Sequence, residues 1–69
     1  MATINIKLNG EFREIPAGIC LPELIERFSL PSQRIAVELN GTVVRRIDWP
    51  GTNVNDGDRV EVVHFVGGG

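Results

Sequence analysis

Apolar and polar residues alternate through the start of the chain, with Ile4, Ile6 and Leu8 on one parity and Thr3, Asn5 and Lys7 on the other. A period of two marks a strand with one buried face, and predicts the first strand over 4–8. Asn9-Gly10 follows at once. A two-residue I′ turn needs positive φ at both positions, which Asn and Gly tolerate, so the chain is predicted to return as a second strand over Glu11 to Ile15. Phe12 and Ile15 have opposite parity there, which predicts a bulge or a frayed end.

Pro16, Ala17 and Gly18 interrupt the alternation, and the period then changes. Leu21, Leu24, Ile25 and Phe28 fall at i, i+3, i+4 and i+7, one stripe of a helix. Pro22 sits in its first turn, where the missing N–H costs nothing, and Pro31 predicts an end by Leu30. About two turns of helix are too few to persist without packing. Ile35, Val37 and Leu39 alternate again, and Asn40-Gly41 leads into Thr42 to Val44 as a second hairpin. Arg45 to Pro50 reads as a partly exposed connection, Thr52 to Val54 as a short bridge, and Asn55-Asp56-Gly57-Asp58 as a dense turn before a last strand over Arg59 to Val66. Two hairpins joined through a helix require a crossover, and the last strand closes the sheet only by lying beside the first. The expected fold is α+β, a β-grasp with a mixed sheet of four to five strands and one short helix across one face. It occupies residues 1–66, with 67–69 as a flexible glycine tail.

Composition narrows the functions such a domain can carry. Its 69 residues are 42% hydrophobic and 23% charged, ordinary globular usage. A chain of this size buries only about 60% of its unfolded surface, which supports one thin core but not an enclosed catalytic cavity, so an enzyme is not expected. Seven basic residues against nine acidic ones give a net charge of −2, which argues against nucleic acid as a partner. With a single cysteine, Cys20, no internal disulfide forms, and an unstapled small domain points to the cytoplasm. The alternating start resembles neither a signal peptide nor a membrane span.

The last strand carries the first candidate site. Glu61 belongs on an outward face, so Val60 and Val62 are expected to point at the helix and Val63 and Phe65 away from it. An exposed Val and Phe side by side suggest a partner-binding patch, extended by Val66. The bland alternative is that loop residues such as Trp49 cover this strand on its second face. Beyond it stand Gly67, Gly68 and Gly69. As structure they are a frayed end. As function they are a side-chain-free rod reaching about 10 Å, able to enter a narrow channel and present an unhindered carboxylate.

The run Val54-Asn55-Asp56-Gly57-Asp58-Arg59-Val60-Glu61-Val62-Val63-His64-Phe65-Val66-Gly67-Gly68-Gly69 closely resembles the C-terminal signature of the ThiS family, the ubiquitin-like sulfur carriers of thiamin biosynthesis. The likeness extends over the whole chain, including Ile35 to Asn40 and Val44-Arg45-Arg46-Ile47-Asp48-Trp49. The glycine end alone is shared with ubiquitin and with MoaD, the small subunit of molybdopterin synthase, and so marks only the superfamily. The resemblance implies that Gly69 is adenylated by a ThiF-type adenylyltransferase using ATP and magnesium. A persulfide donor then converts it to a thiocarboxylate, and ThiG, the thiazole synthase, takes the sulfur. Gly67 and Gly68 would thread the tail, while Val63, Phe65 and Val66 would bind partners. The carrier itself would have no catalytic residue, bound cofactor or metal. The alternatives are a MoaD-like carrier for molybdopterin synthesis and a ubiquitin-like protein modifier.

The remaining chemically capable residues read as structural. Cys20 has no second cysteine and no adjacent basic residue to lower its pKa, which favours a packed or capping role over a sulfur relay. His64, the only histidine, has no recognisable triad partner. Trp49 reads as a cover for the sheet end, and Arg45 with Arg46 as a solvated patch. The glycine end predicts adenylation without prior trimming. Because glycines bury little, deleting residues 67–69 should leave stability unchanged: thermal melts of truncated and full chains should overlay, and a large drop would mean that the tail docks on its own domain.

Overall fold

Both Asn-Gly pairs adopt the positive φ angles of the I′ turn, Asn9 and Gly10 at 51° and 83° and Asn40 and Gly41 at 53° and 87°. In the computed structural model, which describes residues 2–31 and 33–65, they close two hairpins. The first joins β1 (Thr3–Leu8) to β2 (Glu11–Pro16), and the second joins β3 (Ile35–Leu39) to β4 (Thr42–Val44). Between them lies α1 (Leu21–Arg27), and after them a 3₁₀ segment (Arg46–Gly51) and β5 (Arg59–His64). The five strands form one sheet in the order β2-β1-β5-β3-β4, with β5 parallel to β1 and antiparallel to β3. This is the expected β-grasp topology. Val66 and Gly67 to Gly69, the expected strand end and glycine tail, lie outside the described residues.

The bulge predicted in the second strand is absent. β1 and β2 pair in unbroken register from Thr3 opposite Pro16 to Leu8 opposite Glu11. The parity conflict resolves because Phe12 points away from the helix and is 79% exposed, while Ile15 is fully buried. Arg13 shares the face of Ile15 and places its guanidinium 5.7 Å from the Phe28 ring, so a cation covers the edge of the core there.

Helix α1 is held at both ends by short-range hydrogen bonds. The Glu23 carboxylate accepts from the Cys20 backbone N–H at 2.9 Å and from the Cys20 thiol at 3.2 Å, which satisfies a donor that the first turn would leave unpaired. These bonds, the backbone one first, hold the Glu23 carboxyl below its usual range. The stability they give is therefore present above the ordinary glutamate pKa and lost as pH falls through the lowered one. At the other end Ser29 enters the left-handed region at φ 54°. The Ser29 and Leu30 N–H groups donate to Glu26 and Ile25, closing the helix one residue after Phe28 and ahead of Pro31.

The expected partly exposed connection is the 3₁₀ segment, and it contributes to the core. Trp49 is buried in it and donates its indole N–H to the Val44 carbonyl at 3.0 Å. The core lies between α1 and one face of the sheet, built from Ile6, Leu8, Ile15, Leu21, Leu24, Ile25, Ile35, Val37, Trp49, Val54 and Val60, with Val62 and Phe28 packed against it. Leu24 is fully buried at its centre, so Leu24→Ala should cost about 2–5 kcal/mol, while Val62→Ala, at the half-buried margin, should cost about 1 kcal/mol. Urea unfolding with an unchanged slope checks both, and equal losses would mean that Val62 lies deeper than this packing allows.

Candidate functional site

β5 leads from the core toward the glycine end, and its position is fixed by bonds on both sides. On one side Val63 and His64 stand opposite Ala36 and Ile35 of β3, and the Phe65 N–H donates to the Arg34 carbonyl at 2.8 Å, one residue past the strand. On the other side β1 ends at Leu8, where its own pairing with β5 stops. There the Asn9 side chain takes over and accepts from the Val62 N–H at 2.8 Å. At the start of β5 the Asn40 side chain accepts from the Arg59 N–H at 2.8 Å and donates to Asp58 at 3.0 Å. Asp58 in turn accepts from the Asn55 N–H, and Asp56 accepts from the Asn5 N–H, so the acidic turn is tied to β1 and to itself. The sequence marks the two asparagines only as turn formers. The signal available was that both turns carry an amide where glycine would also serve.

The parity expected for β5 is observed. Val60 is buried and Val62 packs against the core, while Glu61, Val63 and Phe65 face away from α1. Val63 is 49% and Phe65 52% exposed. Trp49 is buried with α1 on the core side and does not cover them, so the bland alternative fails. The open face also carries Ala36 and Glu38 from β3 and Val43 from β4, with Glu38 directly opposite Glu61 and Val43 opposite Glu38. Farther across stand Lys7 beside Arg59, and Phe12 beside Lys7, whose ammonium lies 5.2 Å from the Phe12 ring. Val66 and Gly67 to Gly69 lie outside the described residues.

Other reactive groups do not converge. Cys20 is half-buried at the start of α1, its thiol directed at Glu23. His64 is exposed on β5 with its backbone opposite Ile35. Arg46 stacks on Trp49 at 4.7 Å, and Arg45 meets Asp48 at 3.9 Å, an exposed pair worth little. Among the described residues no group of three or more His, Cys, Asp and Glu side chains is placed to hold a metal ion, and no helix is long and apolar enough to cross a membrane. A groove of about 550 Å³ lies between α1 and the 3₁₀ segment, lined in part by Pro22, Ile25, Leu30, Trp49 and Pro50, across the sheet from Phe65.

Known proteins resemble the chain along nearly its full length. The crystal structure of a thiamine biosynthesis protein, ThiS, from Geobacter metallireducens superposes with a TM-score of 0.84 at 33% identity, covering 96% of this chain and all of that one. A thiazole synthase of Paramagnetospirillum magneticum is 35% identical over 66 residues, 96% of this chain but 20% of that protein. The chain thus spans about a fifth of the length of the curated thiazole synthases it matches. An uncharacterized protein of Porphyra purpurea, ycf40, is 36% identical over 96% of this chain and 93% of its own length. The family model of ThiS matches residues 6–69, and on that match the chain belongs to the ThiS family.

Proposed function

We propose that this protein is a sulfur carrier of thiamin synthesis, working as a co-substrate and not as an enzyme, with the C-terminal carboxylate of Gly69 as the group that carries sulfur. The observation that carries this reading is the family match, which runs to residue 69 and includes the glycine end. A free carboxylate resists nucleophiles, so an activating enzyme must first supply a leaving group. A ThiF-type adenylyltransferase, using ATP and magnesium, joins the Gly69 carboxylate to AMP with loss of pyrophosphate. A persulfide sulfur then displaces AMP, and reduction of the acyl disulfide by a thiol leaves the thiocarboxylate. The carrier contributes access and recognition. Gly67 and Gly68 pass the tail into the partner's site, while Val63, Phe65 and Val66 provide the contact beside it.

Thiazole synthase, ThiG, is the proposed recipient of the sulfur. Support comes from the two thiazole synthases of which a fifth resembles this chain, since a carrier-like segment there belongs to the same polypeptide as the synthase. The thiamine biosynthesis protein among the solved structures favours the thiamin pathway over molybdopterin synthesis. The role of carrier also agrees with the arrangement of reactive groups, because Cys20 lies at the helix start with its thiol engaged by Glu23.

Incubation with the cognate activating enzyme, ATP, magnesium and a persulfide donor should raise the intact mass by the exchange of one oxygen for sulfur, and a Gly69 deletion should abolish the gain. An unchanged mass would overturn the reading, and a ladder of conjugates on a denaturing gel would replace it with a protein modifier. Phe65→Ala should change folding stability by less than about 0.5 kcal/mol yet weaken binding to the activating enzyme or to thiazole synthase by 2 kcal/mol or about that. Denaturant melts and titrations check this, and a variant that unfolds easily but binds normally would place Phe65 in the core.

A further inference from the structure

The two hairpin tips are near copies of one another. Each reads Leu-Asn-Gly, over residues 8–10 and 39–41, and the two pairs hold nearly the same positive φ angles. All four turn residues are exposed, and a Cβ built on either glycine would meet nothing within 4 Å. Asparagine is among the thermolabile residues, and a following glycine leaves its own backbone nitrogen least shielded. Both tips therefore meet the requirements for loss of the side-chain amide through attack by the next backbone nitrogen. With the same residue before and after each asparagine, their intrinsic reactivity is alike.

The tips differ in what holds the amide. The Asn40 side chain is tied through both of its polar atoms: Oδ1 accepts from the Arg59 N–H at 2.8 Å, and Nδ2 donates to Asp58 Oδ1 at 3.0 Å. Asp58 is itself fixed, because its other oxygen accepts from the Asn55 N–H. The Asn9 side chain is tied through Oδ1, which accepts from the Val62 N–H, and among the described residues its Nδ2 has no hydrogen-bond partner. To react, the asparagine Cγ must swing onto the glycine nitrogen, and each bond to the amide must break first. The bond that Asn9 lacks is the charge-assisted one, the stronger kind.

We propose that Asn9-Gly10 is a site of spontaneous deamidation, and that Asp58 protects the twin site at Asn40-Gly41. The Gly10 nitrogen attacks Cγ of Asn9, and the Cγ–Nδ2 bond breaks as a proton passes through water from the Gly10 N–H to the departing amide, which leaves as ammonia. The five-membered imide then adds water at one of its two carbonyls. Opening one way gives an aspartate with the main chain unchanged, and its carboxylate still accepts from the Val62 N–H. Opening the other way gives an isoaspartate, whose main chain runs through Cβ and Cγ. That product lengthens a two-residue turn by one carbon and withdraws the acceptor from Val62, so it unfastens β5 on the side of β1.

Ageing the purified full chain at mildly alkaline pH, with peptide mapping of both tips by mass spectrometry, tests this. In native buffer the exchange of NH2 for OH should accumulate at Asn9 about fivefold faster than at Asn40, the effect of one further charge-assisted hydrogen bond. In unfolding urea the two rates should converge. Equal or reversed rates in native buffer, or a difference that persists in urea, overturn the inference. Asp58→Ala should bring Asn40 to the rate of Asn9 and leave Asn9 unchanged, whereas acceleration of both sites alike, or of neither, overturns the protection by Asp58. The isoaspartyl fraction should exchange its Val62 amide hydrogen faster than the fresh chain, and Asn9→Asp should not. Equal exchange in the isoaspartyl fraction and the fresh chain would overturn the loosening of β5.

Discussion

β5 enters the sheet last in the chain and lies between strands from two separate hairpins, so its backbone hydrogen bonds are what make β1–β2 and β3–β4 a single sheet. A lone two-stranded hairpin is marginal in water, and the short α1 cannot persist unpacked. Both acquire stability only when β5 brings Val60 and Val62 beneath the helix. The weak point of the arrangement is that β1 runs out at Leu8 while β5 continues. A side-chain amide, Asn9, fills the place of the missing strand, and Asn40 does the same at the other end of β5.

A sheet built this way has two unlike faces. One is committed to a thin core under α1, and the other remains uncovered with Val43, Val63 and Phe65 among charges. The strand that holds the fold together also carries Val63 and Phe65 on its uncovered face, so that surface has a rigid support.

Much of this was legible in the chain because the decisive signals were local. Each Asn-Gly marks a hairpin, the Leu21-Leu24-Ile25-Phe28 stripe marks the helix, and the crossover between the hairpins leaves the last strand to close the sheet beside the first. Parity along β5 then separated Val60 and Val62 from Val63 and Phe65. The opposite parity of Phe12 and Ile15 signals no bulge, because at this sheet edge Arg13 fills the core-side position over Phe28 and Phe12 stands exposed. The Glu38–Glu61 pairing depends on the register between β3 and β5, which are 20 residues apart and set by the whole sheet. The left-handed Ser29 gave no sign, since serine at that helix end carries none of the signal that glycine would. For Gly67 to Gly69 the reading rests on sequence and family, as these residues lie outside the described structure.

The double duty of the two asparagine turns also changes how replaceable these loops are. Hairpin tips are ordinarily where a protein accepts grafts and insertions, because little beyond the two flanking strands senses them. Here each tip reaches a third strand. A longer loop at 9–10 or 40–41 could keep its own hairpin intact and still unfasten β5, and Asn9→Gly would separate the two duties outright, preserving the turn while removing the amide that receives the Val62 N–H. Grafting at the tips therefore reaches the central strand, and the Ala17–Gly18 connection, where the Ala17 N–H donates to the Ala2 carbonyl, is the more permissive place to insert.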